Sequence, residues 1–117
     1  MKIVATHSGV SVGPDGASHQ CIEDLSLMRT IPTMTVIEPC DAVETRKAIL
    51  AAVDYKGPVY IRLGRAAVPV ITKKEDPYTI GKANILRMGD DVAIVACGAL
   101  VVNSLTAADM LLMEGIK

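Results

Sequence analysis

Both histidines of the chain, His7 and His19, fall within one stretch, THSGVSVGPDGASHQ, Thr6 to Gln20. An imidazole can move a proton near neutral pH or, when charged, hold a phosphate. The same stretch carries Gly9, Gly13 and Gly16, with Asp15 set between Pro14 and Gly16. Asp15 can accept hydrogen bonds from sugar hydroxyls. Pro-Asp-Gly is also favoured turn chemistry, so residue types alone leave turn and site both open. A fourth polar group, Arg65, follows the run VYIRL at Gly64. Its guanidinium can clamp a phosphate with two parallel hydrogen bonds, or can be a surface arginine. Arg62 alternates with it but lies inside the run. Two histidines with no carboxylate or cysteine at ligand spacing make a poor metal site, so none is expected. The glycines match neither the P-loop nor the dinucleotide fingerprint.

Elements of regular structure must bring these groups together. Lys2 to Thr6 reads as a strand feeding the glycine-rich loop, and Ile22 to Thr30 as a short helix with acids in its first turn. Thr33 to Glu38 is strand-like and Pro39 ends it. Asp41 is set to cap the next helix and Glu44 to bond back. That helix runs to about Val53, with Arg46 and Lys47 expected outside and Ile49 and Leu50 inside. After Gly57-Pro58, Val59 to Leu63 is the third strand. Strand and helix alternate as in a right-handed parallel sheet, and such sheets take ligands at the carboxyl ends of their strands. His7 and Arg65 each follow a strand directly, and His19 precedes a helix.

The texture changes at Gly64. Prolines and the patch Lys73-Lys74-Glu75-Asp76 read as a linker. Ala83 to Arg87 and Val92 to Cys97 look like strands, and Leu100 to Glu114 like an amphipathic helix capped by Gly115. The expected division is 1–64, a linker at 65–82, and a second unit at 83–117. The chain starts on a strand and ends after a helix, and is expected to be part of a larger protein.

Composition narrows the class. In 117 residues there are no Phe or Trp and only three Tyr, so the core is aliphatic. Twelve Lys+Arg balance thirteen Asp+Glu, which leaves no basic footprint for nucleic acid. Cys21, Cys40 and Cys97 are scattered, without a disulfide or zinc pattern, and suit a cytoplasmic protein with reduced thiols. Cys21, beside the loop, is either a packing residue or a reactive thiol. No apolar run is long enough to span a membrane.

Several motifs in order resemble the pyrimidine-binding domain of transketolases. These are the Thr6-His7 pair, the loop Gly13-Pro14-Asp15-Gly16-Ala17-Ser18-His19-Gln20, the segment IEDLSLMRTIPTMTVIEPCD, and GPVYIRLGRAAVP. GKANILRMGDDVAIVACGALV resembles the opening of the same family's C-terminal domain. The match is closest to the separately encoded C-terminal section of split transketolases. It departs from the family pattern at Pro14, where Glu is common, at Ser18, where Thr is usual, and at Gly64-Arg65-Ala66-Ala67, where Ser-Arg-Gln is common.

The resemblance implies an α/β fold: part of a parallel-sheet pyrimidine-binding domain, then the start of an α/β C-terminal domain. It implies a transferase that moves a two-carbon ketol unit between sugar phosphates in the pentose phosphate pathway. Thiamine diphosphate and Mg²⁺ would be held largely by parts outside this chain. By motif position, His19 would act at the reacting carbons and Asp15 on an acceptor hydroxyl, while His7 and Arg65 would hold the terminal phosphate. The cofactor-activating glutamate would lie upstream of Met1. The partner would be an N-terminal-section subunit in a homo- or hetero-oligomer, and this chain alone would be inactive. A deoxyxylulose-phosphate synthase-like enzyme and a non-catalytic interaction module are the alternatives.

Overall fold

The computed structural model describes every residue, Met1–Lys117. Three parallel strands form its sheet: β1 (Lys2–Ala5), β2 (Thr35–Ile37) and β3 (Val59–Arg62), in spatial order β1-β3-β2. Helix α1 (Asp24–Thr30) lies between β1 and β2 in the chain, α2 (Ala42–Asp54) between β2 and β3, and α3 (Leu100–Met113) follows much later. Val59, Tyr60 and Ile61 of the central strand are all buried, as expected for a strand paired on both edges.

Register decides where the chemistry can sit. Ala5 pairs with Arg62, and Ile37 with Ile61, so the three strands end together at one edge. The histidine loop, Glu38 and the Arg62–Arg65 segment all leave the sheet there. At the opposite edge, Lys2 Nζ donates to the carbonyls of Tyr55 (2.6 Å) and Gly57 (2.8 Å). The core is small: Ala52, Val59 and Ile61, with Ile37 and Leu63 against them.

Helix α2 shows why it begins where it does. Asp41 Oδ1 accepts from the N–H of Glu44 at 2.8 Å, the expected cap. Glu44 bonds back one residue earlier than a standard capping box, accepting from the N–H of Cys40 at 2.7 Å. The helix face differs from expectation. Ala48 and Ala52 are buried, whereas Ile49, Leu50 and Val53 are exposed. Small side chains four apart let the helix approach the sheet closely, and that rotation turns the bulkier residues outward.

Asp41 also fixes the segment after β3. Its carboxylate accepts from the N–H groups of Ile71 (2.8 Å) and Thr72 (2.7 Å) and from the Thr72 hydroxyl (2.8 Å). Lys47 Nζ donates to the carbonyls of Lys73 and Asp76. The middle of the expected linker is therefore strapped to α2.

Ala83–Arg87 and Val92–Cys97, expected as strands, form none. Their apolar, β-branched composition suits a ladder, but no neighbouring strand pairs with them, and propensity without a partner makes no sheet. The N–H groups of Asp91 and Val92 instead reach the Lys117 carbonyl at 2.7 and 3.2 Å. Helix α3 ends as expected. Gly115 at φ +82° and Ile116 donate back to Leu112 and Leu111, both at 3.0 Å, closing a Schellman motif. No helix is long and apolar enough to cross a membrane.

Burial alone would raise the Asp41 carboxyl. The hydrogen bonds from Glu44, Thr72 and Ile71 outweigh it and hold the group below its ordinary 3.8. A carboxyl depressed by folding stabilises fully above about pH 4, and the contribution is lost as pH falls through the lower folded value. Asp41→Ala is expected to lower stability at pH 7 by about 2 kcal/mol, through loss of cap and strap together. It should also flatten the acid-side decline. Urea unfolding at pH 7 and pH 3 measures both, and an unchanged midpoint at pH 7 would contradict the double role.

Candidate functional site

The loop after β1 folds as two short 3-10 turns, Val10–Asp15 and Ala17–His19. It is held at its base. Buried Ser8 donates to the Leu63 carbonyl through both N–H (3.3 Å) and hydroxyl (2.8 Å), and the Gly9 N–H donates to the Cys21 carbonyl at 2.9 Å. That last bond joins the two stems of the loop. His7 stands two residues before one end of it and His19 two residues before the other. His7 has φ +63°, the left-handed region that few non-glycine residues occupy.

Each imidazole makes one protein hydrogen bond, and the two bonds are alike. His7 Nδ1 meets the Thr6 hydroxyl at 3.0 Å, and His19 Nδ1 meets the Ser18 hydroxyl at 3.0 Å. In both cases the preceding residue engages Nδ1, and Nε2 makes no hydrogen bond to the protein. Both rings are exposed. Asp15 and Arg65, fifty residues apart, are brought together: Arg65 NH1 donates to Asp15 Oδ2 at 3.0 Å and to the Val12 carbonyl at 2.7 Å. The expected hydroxyl acceptor and the expected phosphate clamp therefore hold one another in this structure. Cys21 serves the loop through its carbonyl, while its thiol is exposed.

Beneath the loop lies a cluster that the sequence pattern does not announce. Arg62 Nε donates to Asp24 Oδ2 at 2.9 Å, and its NH1 donates to Glu38 Oε1. Tyr60 donates its hydroxyl to the same Asp24 oxygen at 2.7 Å. Burial would raise the Asp24 carboxyl, but the bonds from Tyr60 and Arg62 and the guanidinium charge hold it below its ordinary value. Burial and the Asp24 carboxylate push the Tyr60 phenol up to about 12. The Cys97 thiol donates to Glu38 Oε2 at 3.1 Å, and burial together with that carboxylate pushes it up to about 11. A signal existed: an arginine alternating with tyrosine inside an apolar strand needs a carboxylate partner, and Asp24 and Glu38 were the acids at hand.

A hollow of about 400 Å³ lies between α1 and β2, lined by Leu25, Arg29, Met34, Val36, Glu38 and Cys97. It includes neither imidazole, nor Asp15, nor Arg65. The polar loop, not this mainly apolar hollow, is the candidate site.

The fold and the loop together define a parallel α/β domain with a loop at its carboxyl edge that carries both imidazoles and the Asp15–Arg65 pair. Residues 1–70 match the family model described as transketolase, pyrimidine binding domain, and residues 81–117 match that of the transketolase C-terminal domain. The chain belongs to the transketolase family.

Among its relatives, one of the apulose-4-phosphate transketolase subunits of Phocaeicola vulgatus is 42% identical across 100% of this chain and 38% of its own length. A 6-deoxy-6-sulfo-D-fructose transketolase subunit of a Clostridium species is 42% identical across 99% of this chain and 36% of its own. The solved structure of a split gene transketolase, an inactive beta4 tetramer, superposes with a TM-score of 0.88 at 48% identity, covering 98% of this chain and 36% of that one. The chain thus spans little more than a third of the length of these relatives.

Family membership implies thiamine diphosphate. No cluster of three or more His, Cys, Asp or Glu side chains stands ready for the metal of a diphosphate.

Arg65 ties the loop down through a half-exposed ion pair and one carbonyl. Arg65→Ala is expected to speed amide exchange of residues 10–19 about fivefold, the size of a modest surface interaction. Exchange in α3 should stay as it was. Hydrogen-exchange mass spectrometry measures this, and equal loop rates would show that the clasp does not order the loop.

Proposed function

We propose that this chain supplies the substrate-facing wall of a thiamine diphosphate-dependent, transketolase-type transferase that moves a two-carbon ketol unit between sugar phosphates. The observation that carries the reading is the convergence of His7, Asp15, His19 and Arg65 on one carboxyl edge of the sheet. His19 presents Nε2 to the reacting carbons, donating to substrate oxygens and carrying a proton. Asp15 accepts from a hydroxyl of the acceptor sugar. His7 and Arg65 bind the terminal phosphate, and Arg65 exchanges its Asp15 partner for that phosphate as substrate arrives. Thiamine diphosphate with Mg²⁺, bound largely by other parts of the assembly, supplies the carbanion-stabilising chemistry.

In this reading the chain acts within a longer subunit, divided as 1–64, 65–82 and 83–117, alongside an N-terminal-section subunit. The exposed apolar side chains, among them Val4, Leu50, Val53 and Val95, support that assembly. So does the inactivity of the related tetramer built from β chains alone. The three free thiols suit the cytoplasm. The sugars named for the two relatives differ, so xylulose 5-phosphate is to be assayed as donor beside apulose 4-phosphate and 6-deoxy-6-sulfofructose.

In the assembled enzyme, His19→Ala is expected to lower kcat for ketol transfer by about 10²–10⁴. His7→Ala is expected chiefly to raise KM for phosphorylated sugars. Steady-state kinetics with each donor test the roles, and near-parental kcat in the His19 variant would remove His19 from the reacting centre.

A further inference from the structure

The loop's two stems meet at Gly9 N–H and the Cys21 carbonyl, and Arg62 lies directly under that junction. A methyl group built on Gly9 would stand 2.9 Å from Arg62 NH2, closer than real side chains approach. Gly9 is at φ +80°, so the backbone there follows a course that a side chain would resist. The guanidinium cannot yield. Its Nε is held by Asp24 from the start of α1, its NH1 by Glu38 from the end of β2, and its side chain is only 14% exposed. Glu38 is in turn confined by Gly98, whose N–H donates to the Glu38 carbonyl at 3.1 Å.

This is not the cheapest way to stabilise an edge. Buried ion pairs forfeit hydration, and neutral groups of similar size often do as well. Asp24 also leaves its Oδ1 buried without a partner. The clearer return is geometric: a fixed flat cation sets the height of the junction from which both imidazole stems spring.

We infer that Arg62 is a positioning residue that holds His7 and His19 at a fixed spacing through the Gly9–Cys21 junction. It touches neither imidazole and acts through the backbone above it. The inference rests on the reading above for its catalytic consequence, but not for its geometry.

The test uses the assembled enzyme with ¹³C-labelled histidine, the two imidazole Cε1–H signals being assigned from His7→Gln and His19→Gln variants. Arg62→Lys keeps a charge but cannot span both carboxylates. The combined variant Asp24→Asn, Glu38→Gln, Arg62→Met replaces the buried charges by neutral groups and guards against simple misfolding of the first. In both, the two imidazole signals are expected to shift or broaden while α3 methyl signals stay close to the parent's; Tm falls in Arg62→Lys, which leaves a carboxylate unpaired, and less in the neutral combined variant. Expected kcat is lower by about tenfold to a hundredfold, the effect of a misplacement near 1 Å, with KM within about threefold. Imidazole signals superimposable on the parent's, or kcat within twofold of it in both variants, would overturn the inference. Should the parent show no ketol transfer at all, the proposed function falls instead, and the imidazole signals alone decide the role of Arg62.

Discussion

Arg62 brings one positive charge to the place where three chain segments leave the sheet, and two carboxylates from different segments meet it there. Asp24 commits α1, Glu38 commits the end of β2, and the strand carrying Arg62 is the central one. Each acid would be costly to bury alone, and so would the guanidinium. The three are tolerable only together, which makes the relative positions of α1, β2 and β3 a single condition. With an apolar core as small as Ala52, Val59 and Ile61, this polar junction takes over a task that a larger domain would assign to packing.

The site rests on that junction in layers. The junction supports Gly9, Gly9 binds Cys21, and the joined stems carry the two histidines outward. Thr6 and Ser18 then orient the rings, each through its neighbour's Nδ1. Arg65 closes the far side of the loop by holding Val12 and Asp15. The imidazoles and the hydroxyls that meet them are exposed, whereas Arg62, Asp24 and Glu38 beneath the loop are wholly or partly buried, the usual division between loop and scaffold.

Much of this was legible in the residues and some was not. The Asp41 cap and the Gly115 terminus followed from local chemistry, because each depends on groups only a few positions apart, and the three strands from apolar runs that do find parallel partners. The polar loop declared itself by concentrating both histidines among glycines. The Arg62 junction did not, because its partners lie 24 and 38 residues away and each has an innocent local reading. Asp24 passed as a first-turn acid and Arg62 as a strand residue. Val92–Cys97 misled in the opposite sense: its local pattern is strongly strand-like, but a ladder is a property of two segments. The face of α2 turned on Ala48 and Ala52, where closeness of approach outweighed the pull of larger side chains.

The straps of Asp41 and Lys47 on residues 71–76 bear on how the two family-matched parts can move. Sequence texture changes at Gly64, which would place a pivot directly behind Arg65 and let any swing disturb the loop. With Ile71, Thr72, Lys73 and Asp76 held to α2, and Gly98 held to Glu38, the looser connection is the stretch between, which is hydrogen-bonded to α2 only through Asn84 Nδ2 and Glu44 Oε1 at 3.5 Å. That stretch is a loop held at both ends, and its Gly98 anchor reaches the Arg62 junction through Glu38. Changes of length in that stretch would cost little, since closure entropy grows only slowly with loop length. The chain thereby separates the part that can vary in reach from the part that must hold its aim.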